Sequence, residues 1–260
     1  MRNATNISWN ERNSIVFSWP LTSSPYPLIS IFVIYVWFVL KIGPKIMENR
    51  KPFNLSFVTR VYNLYQIAGC IFFIIIGHKL GFSFKHMWKC IDEPKINGVV
   101  DESLVDGSYY LWFFIILRLS ELLETVFFVL RKKFKQVSML HVYHHISTVV
   151  LLWIFLLYSG GMMEWFIGAL NSAVHILMYG YYFLSSFGQC RKYTNIIKPC
   201  ITFIQITQLF IIFGHSVAAL LPGCNASWMF IFQMLNAGFL ISMFVKFYIN
   251  SYIRNKEKMS

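Results

Sequence analysis

Three histidines fall within five positions in HVYHH (His141, His144, His145), between a basic run, RKKFKQ (131–136), and a long apolar stretch. Imidazole can ligate a metal, move a proton near neutral pH, or attack an acyl carbon when activated. Just upstream, RLSELLET (118–125) sets Arg118, Glu121 and Glu124 three apart, the spacing that lines residues along one helical face, with Thr125 next. Carboxylates in such a position can fix the ring orientation and tautomer of neighbouring histidines. Downstream, Asn171 and His175 lie four apart, followed by Met178, Tyr179, Tyr181 and Tyr182, and Thr202, Gln205 and Gln208 repeat at intervals of three. Polar stripes of this kind also hold membrane helices together, so the glutamines read equally well as packing residues.

The elements that must position these groups are membrane helices. The 260 residues are 57% hydrophobic, 18% aromatic and only 13% charged, with a mean hydropathy of +0.55, far from the usage of a soluble domain. Runs able to cross about 30 Å of hydrocarbon occur at 27–42, 61–77, 109–130, 140–158, 162–185, 201–221 and 228–245. The expected fold is an all-α integral membrane bundle of seven spans in a single domain over 1–260, because open sheet edges cannot satisfy their backbone groups in lipid. A charge at the centre of a span costs about 2.5–3.5 kcal/mol. Arg118, Glu121 and Glu124 must therefore face the bundle and pair.

The formal charge of +12 is unevenly placed. Four segments (41–60, 131–135, 191–198 and the end from Lys246) hold 16 Lys and Arg against Glu48 and Glu257; the alternate segments hold six against seven acids. The positive-inside rule makes the first set cytosolic, the N-terminus lumenal and the C-terminus cytosolic. Basic residues in short blocks between apolar runs point to a membrane surface or an anionic cosubstrate, and not to nucleic acid. All four polar stripes then lie toward the cytosolic half, where a shared internal site explains them together.

A di-iron centre of the desaturase and hydroxylase kind is the first metal reading of HxxHH, but such centres draw on about eight histidines because two irons need many nitrogen ligands. This chain has seven, and His78, His86 and His215 fall on the lumenal side. A seven-span receptor would not call for this cluster, and the inverted repeats that would favour a transporter are not evident.

Taken in order, the stripes resemble the boxes of the fatty acid elongase (ELO) family. RLSELLET looks like K-x-x-E-x-x-D-T, HVYHH like H-x-x-H-H, NSAVHILMYGYY (171–182) like N-x-x-V-H-x-x-M-Y-x-Y-Y, and TFIQITQ (202–208) like T-x-x-Q-x-x-Q. Arg118 for Lys and Glu124 for Asp are charge-conserving departures. The resemblance implies a 3-oxoacyl-CoA synthase, an acyltransferase of the endoplasmic reticulum. It would join a long-chain acyl-CoA to malonyl-CoA as cosubstrate, without a resident cofactor or metal, and hold the acyl chain in an apolar tunnel. It implies His144 as the nucleophile, Asn171 and His175 as oxyanion stabilisers, His141 and His145 as orienting or relay groups, and Glu121 or Glu124 fixing a tautomer. Arg118, Tyr179, Tyr182, Gln205 and Gln208 are expected along the substrate path, and Arg131, Lys132 and above all Lys198 against the phosphates of CoA. A ketoacyl-CoA reductase is the implied partner downstream, and a homo-oligomer is compatible with the family.

Lumenal placement makes Asn3, Asn6 and Asn225 the usable glycosylation sequons, leaving the cytosolic Asn54 unused. Cys90 and Cys224 both fall in lumenal loops, where an oxidising compartment permits a disulfide between them. The tail, Lys256-Glu257-Lys258-Met259-Ser260, has the form of a dilysine retrieval signal.

Overall fold

The computed structural model describes residues 7–81, 99–100, 102–158, 162–187, 191–220 and 227–254. The described chain is helical apart from one short antiparallel pair, β1 (Ile7–Ser8) with β2 (Val99–Val100). It divides into two compact units, one formed by Met1–Leu55 with Ile91–Glu164 and the other by Ser56–Cys90 with Trp165–Ser260.

The first unit contains α1 (Trp9–Ser18), α2 (Tyr26–Trp37), α3 (Gly43–Met47), α5 (Glu102–Ser120), α6 (Leu122–Leu130) and α7 (Met139–Tyr158). Pro27 stands at the start of α2, where a missing N–H costs nothing. Between α2 and α3 the helix widens into a π turn over Phe38–Ile42, next to Pro44. Pro44 has no N–H to give and its ring would strike the carbonyl one turn back, so a wider turn is the local solution. Gly43 then allows a close approach. A Cβ there would lie 2.6 Å from Cγ1 of Val129 on α6.

The short helix α1, outside the expected spans, is held by a buried guanidinium. Arg12 donates from Nε and Nη2 to Ser108 Oγ on α5 at 3.2 and 2.9 Å, and from Nη2 to the Leu156 carbonyl on α7 at 2.8 Å. Burial pulls Arg12 down to about 10 while the Glu164 carboxylate pushes it back up, so it stays charged at neutral pH. Trp112 and Trp153 donate their indole N–H groups to the carbonyls of Pro20 and Leu21, at 2.9 and 2.7 Å, and fasten the segment that follows α1.

The second unit contains α4 (Ser56–Lys79), α8 (Met162–Ser185) from Trp165 onward, α9 (Arg191–Ala219) and α10 (Ser227–Tyr248), which runs on into a π turn, Ile249–Ile253. Trp165 stacks on Phe73 with centroids 4.2 Å apart, in room left by Gly77, whose added Cβ would sit 2.9 Å from the indole. Arg60 reaches the C-terminal end of α8, donating to Ser186 Oγ at 2.9 Å and the Ser186 carbonyl at 3.1 Å, with its guanidinium 4.2 Å from the Phe187 ring centroid. A cation there complements the exposed carbonyls of a helix end.

Among the described residues, five helical stretches are long and apolar enough to cross a membrane: Tyr26–Met47, Ser56–Lys79, Met139–Tyr158, Ile197–Ala219 and Trp228–Ile253. Their outward faces are apolar, with Val33, Ile34, Phe57, Phe203 and Leu235 largely exposed, as an integral membrane protein requires. The expected spans 109–130 and 162–185 are helical as well, and differ in kind. The first is not one helix: α5 ends at Ser120, α6 starts at Leu122, and Glu121 sits at the break. There the backbone tightens to i→i−3 bonds, Glu121 N–H to the Arg118 carbonyl at 3.1 Å and Glu124 N–H to the Glu121 carbonyl at 3.0 Å. The second, α8, keeps the expected bounds and carries Glu164, Asn171, Ser172 and His175 within its length.

Candidate functional site

Ser138 starts α7 and so places the histidines. Its Oγ accepts from the His141 N–H at 3.2 Å and its carbonyl from the Val142 N–H at 3.1 Å, the arrangement of an N-cap. The first two turns of α7 then present His141 and His145 four apart, with ring centroids 4.4 Å from each other and planes at 75°. The His144 ring lies 5.5 Å from that of His145. Ser147 and Thr148 donate their hydroxyls to the His144 carbonyl, at 3.2 and 2.7 Å, so the polar side chains after the cluster are spent on the backbone.

The α5–α6 break faces this cluster with charge. Arg118 and Glu121 form a buried ion pair, Nη1 to Oε1, with side chains 0% and 2% exposed. The Arg118 guanidinium also lies 4.4 Å from the Phe114 ring centroid. The second oxygen of Glu121 comes within 3.4 Å of His145 Nδ1, a close charge contact longer than a good hydrogen bond. Expected pairing of the three charged residues is thus met by Arg118 and Glu121, while Glu124, also buried, turns to the histidines. Glu124, His141 and His145 each have one ligand-type atom within 4.8 Å of the other two, the one such group among the described residues.

A further thread was not foreseen from the sequence. Thr125 Oγ1 lies 2.9 Å from His141 Nε2 and 2.7 Å from the hydroxyl of Tyr35, which comes from α2 and is buried. Tyr35 stands in an apolar run with nothing in its spacing to single it out. Thr125 is the last residue of the first box.

The other two stripes lie in the second unit. His175 is buried and Asn171 half-buried on α8. The His175 ring is 5.7 Å from the fully buried Tyr179, which meets Tyr62 of α4 at 5.9 Å and Tyr182 at 6.0 Å. Gln205 donates to the thioether of Met178 at 3.3 Å, Gln208 is buried, and the Thr202 hydroxyl is 3.3 Å from that of Tyr252. The polar run Tyr62, Asn63 and Gln66 is also buried on α4. Its spacing within an apolar helix is the same signal that marked the other stripes. His215 belongs to the core, fully buried with its ring 4.7 Å from Phe166.

Of the expected phosphate contacts, Lys198 is exposed near the start of α9 and its carbonyl accepts from Thr202 Oγ1 at 3.2 Å. Arg131 is half-buried at the end of α6, and Lys132, in the left-handed conformation at φ 54°, donates from Nζ to the Glu48 carbonyl at 3.0 Å. Asn3, Asn6, Asn225, Cys90, Cys224 and the lysine tail lie outside the described residues.

Residues 20–260 match the family described as ELO: GNS1/SUR4 family. The chain is 33% identical over 251 residues to very long chain fatty acid elongase 4 of Homo sapiens, covering 96% of this chain and 79% of that one. It is 38% identical over 250 residues to very long chain fatty acid elongase F of Drosophila simulans, covering 93% of each. Very long chain fatty acid elongase 7 of Rattus norvegicus is 32% identical over 253 residues, with 93% and 86% covered. The match spans all four polar stripes and both compact units, and the chain belongs to the ELO family.

Proposed function

We propose that the protein is a fatty acid elongase, the condensing enzyme that joins a long-chain acyl-CoA to malonyl-CoA and yields 3-oxoacyl-CoA, CoA and carbon dioxide. The observation that carries this reading is the histidine cluster of α7, buried at His145 and half-buried at His141 and His144, backed by the Arg118–Glu121 pair, in a chain matched to the family over 20–260. Family membership supplies fatty acid elongation as the activity; the assignment of steps to residues is our own.

In the first step His144 attacks the thioester carbon of the acyl-CoA, the carbon–sulfur bond breaks, and CoA leaves with the imidazole proton. Malonyl-CoA then loses carbon dioxide, and the carbon nucleophile left behind attacks the acyl-imidazole. The new carbon–carbon bond forms as the nitrogen–acyl bond breaks, and His144 regains a proton from solvent. Glu121, next to His145, stabilises positive charge on that ring and holds its orientation. Asn171 and His175 are assigned to the oxyanion of the tetrahedral species by the order of the boxes in the chain. No resident metal enters the scheme, and chelation is expected to leave the activity intact. Stoichiometric iron in active protein would instead favour metal-dependent oxygen chemistry at Glu124, His141 and His145.

The chain is read as one domain with seven spans, N-terminus lumenal, in the endoplasmic reticulum membrane. The alternation of basic segments supports the orientation, and membership of the ELO family the membrane setting. Lys198, Arg131 and Lys132 sit in cytosolic segments suited to CoA phosphates, Tyr179, Tyr182, Gln205 and Gln208 border the acyl path, and the product passes to a ketoacyl-CoA reductase. The reading is tested in microsomes with radiolabelled malonyl-CoA across a series of acyl-CoA lengths. Label in a 3-oxoacyl product two carbons longer than the primer is the expected result, and no product with any primer would refute the activity.

A further inference from the structure

We infer that Tyr35 is a positioning residue for the condensation: through Thr125 it holds His141 with its Nε2 accepting and its N–H at Nδ1. This deepens the proposed function and rests on it, since it concerns the same histidine cluster. Tyr35 lies in α2, a helix that carries none of the four polar boxes, so no spacing in the sequence connects it to the site.

The chain of contacts is short and buried. Tyr35 OH is 2.7 Å from Thr125 Oγ1, and Thr125 Oγ1 is 2.9 Å from His141 Nε2. Thr125 is fully buried and Tyr35 6% exposed. Thr125 has one hydroxyl proton and two partners, so it can donate to only one of them. If His141 donated to Thr125 and Thr125 to Tyr35, the phenolic proton would need an acceptor of its own. Thr125 is the hydrogen-bond partner of that phenol among the described residues. The reverse order, Tyr35 to Thr125 to His141, gives both hydroxyl protons an acceptor, which burial strongly favours. It also follows the acidities, since a phenol is the better donor and a neutral imidazole nitrogen the better acceptor.

The consequence falls on the choice among three imidazoles. His141 has Nε2 committed to Thr125, and His145 has Nδ1 turned to Glu121. Each outer histidine is thereby set in one orientation, by Tyr35 and Thr125 on one side and by Arg118 and Glu121 on the other. His141 also contacts Phe128, with centroids 5.3 Å apart. An imidazole held in this way is a poor nucleophile at Nε2 and a good spacer and proton relay at Nδ1. His141 is then assigned to ordering the cluster, in keeping with the nucleophile role proposed above for His144.

Three variants of the full chain in detergent or nanodiscs test the assignment: Tyr35→Phe, Thr125→Val and Thr125→Ser. The first deletes one hydroxyl and keeps the ring; the second is close in shape to threonine but cannot bond; the third restores the hydroxyl. Tyr35→Phe and Thr125→Val are expected to lower kcat about five- to fiftyfold with KM for both CoA substrates within twofold, and Thr125→Ser to recover most of kcat. A second readout is nitrogen NMR of histidine-labelled protein, where His141 should show one protonated Nδ1 and one bare Nε2, and lose that single pattern in Tyr35→Phe. Full kcat in Tyr35→Phe, no recovery in Thr125→Ser, or a protonated Nε2 on His141 would each overturn the inference. An inactive wild type would refute the elongase reading, while the NMR pattern would still report on the hydrogen-bond chain.

Discussion

Glu121 has two neighbours of different character: one oxygen pairs with Arg118 and the other lies 3.4 Å from His145 Nδ1. Glu121→Gln would leave a buried guanidinium without its counter-charge, a loss of about 3–5 kcal/mol in comparable pairs, and would withdraw the negative charge beside His145. The thermal midpoint in detergent should fall and kcat with it, whereas Glu48→Gln, at an exposed position, should change stability by less than about 0.5 kcal/mol. Arg118→Lys keeps the charge and matches the family pattern, but a lysine cannot reproduce a planar fork over Phe114, so partial activity with a lower midpoint is expected. At the exposed Lys198 the effect is of another size. Lys198→Ala should raise KM for CoA substrates roughly two- to fivefold, the worth of one solvent-exposed ion pair, and the difference should fade at high salt.

The break between α5 and α6 shows where periodicity stops being informative. Intervals of three put Arg118, Glu121 and Glu124 on one face, and all three are buried, so the polar stripe was legible in the sequence. The interruption at Glu121 was not, because it arises from tertiary demands on Arg118 and Glu121 that local propensity does not register. The same holds for α1, whose docking depends on Arg12 meeting Ser108 and the Leu156 carbonyl, residues remote in the chain. Arg12→Met should release this helix, seen as faster hydrogen exchange over 9–25 with little change in α9 and α10. Where α3 meets α6, Gly43→Ala would set a methyl 2.6 Å from Val129 Cγ1, costing about 1–3 kcal/mol. Val129→Ala in the same chain should recover part of that, and not all, because the Phe38 carbonyl also stands 2.9 Å from the added carbon.

For the molecule as a whole, composition and charge placement made the membrane class and the helical fold legible, since a backbone in lipid has few alternatives. The histidine and carboxylate boxes were legible because polar residues in apolar helices are costly and therefore conspicuous. Tyr35 escaped because tyrosine is common in membrane helices and its role comes from a contact 90 positions away. The central claim is that the cluster of α7 takes the acyl group covalently on His144. It is tested most directly by incubating purified protein with acyl-CoA alone and weighing it intact. A mass gain of one acyl group, removed by hydroxylamine and abolished in His144→Ala but retained in part by His141→Ala, is the predicted result. Active enzyme that never carries an acyl group, with obligatory binding of both substrates before any product leaves, would contradict it and make His144 a general base.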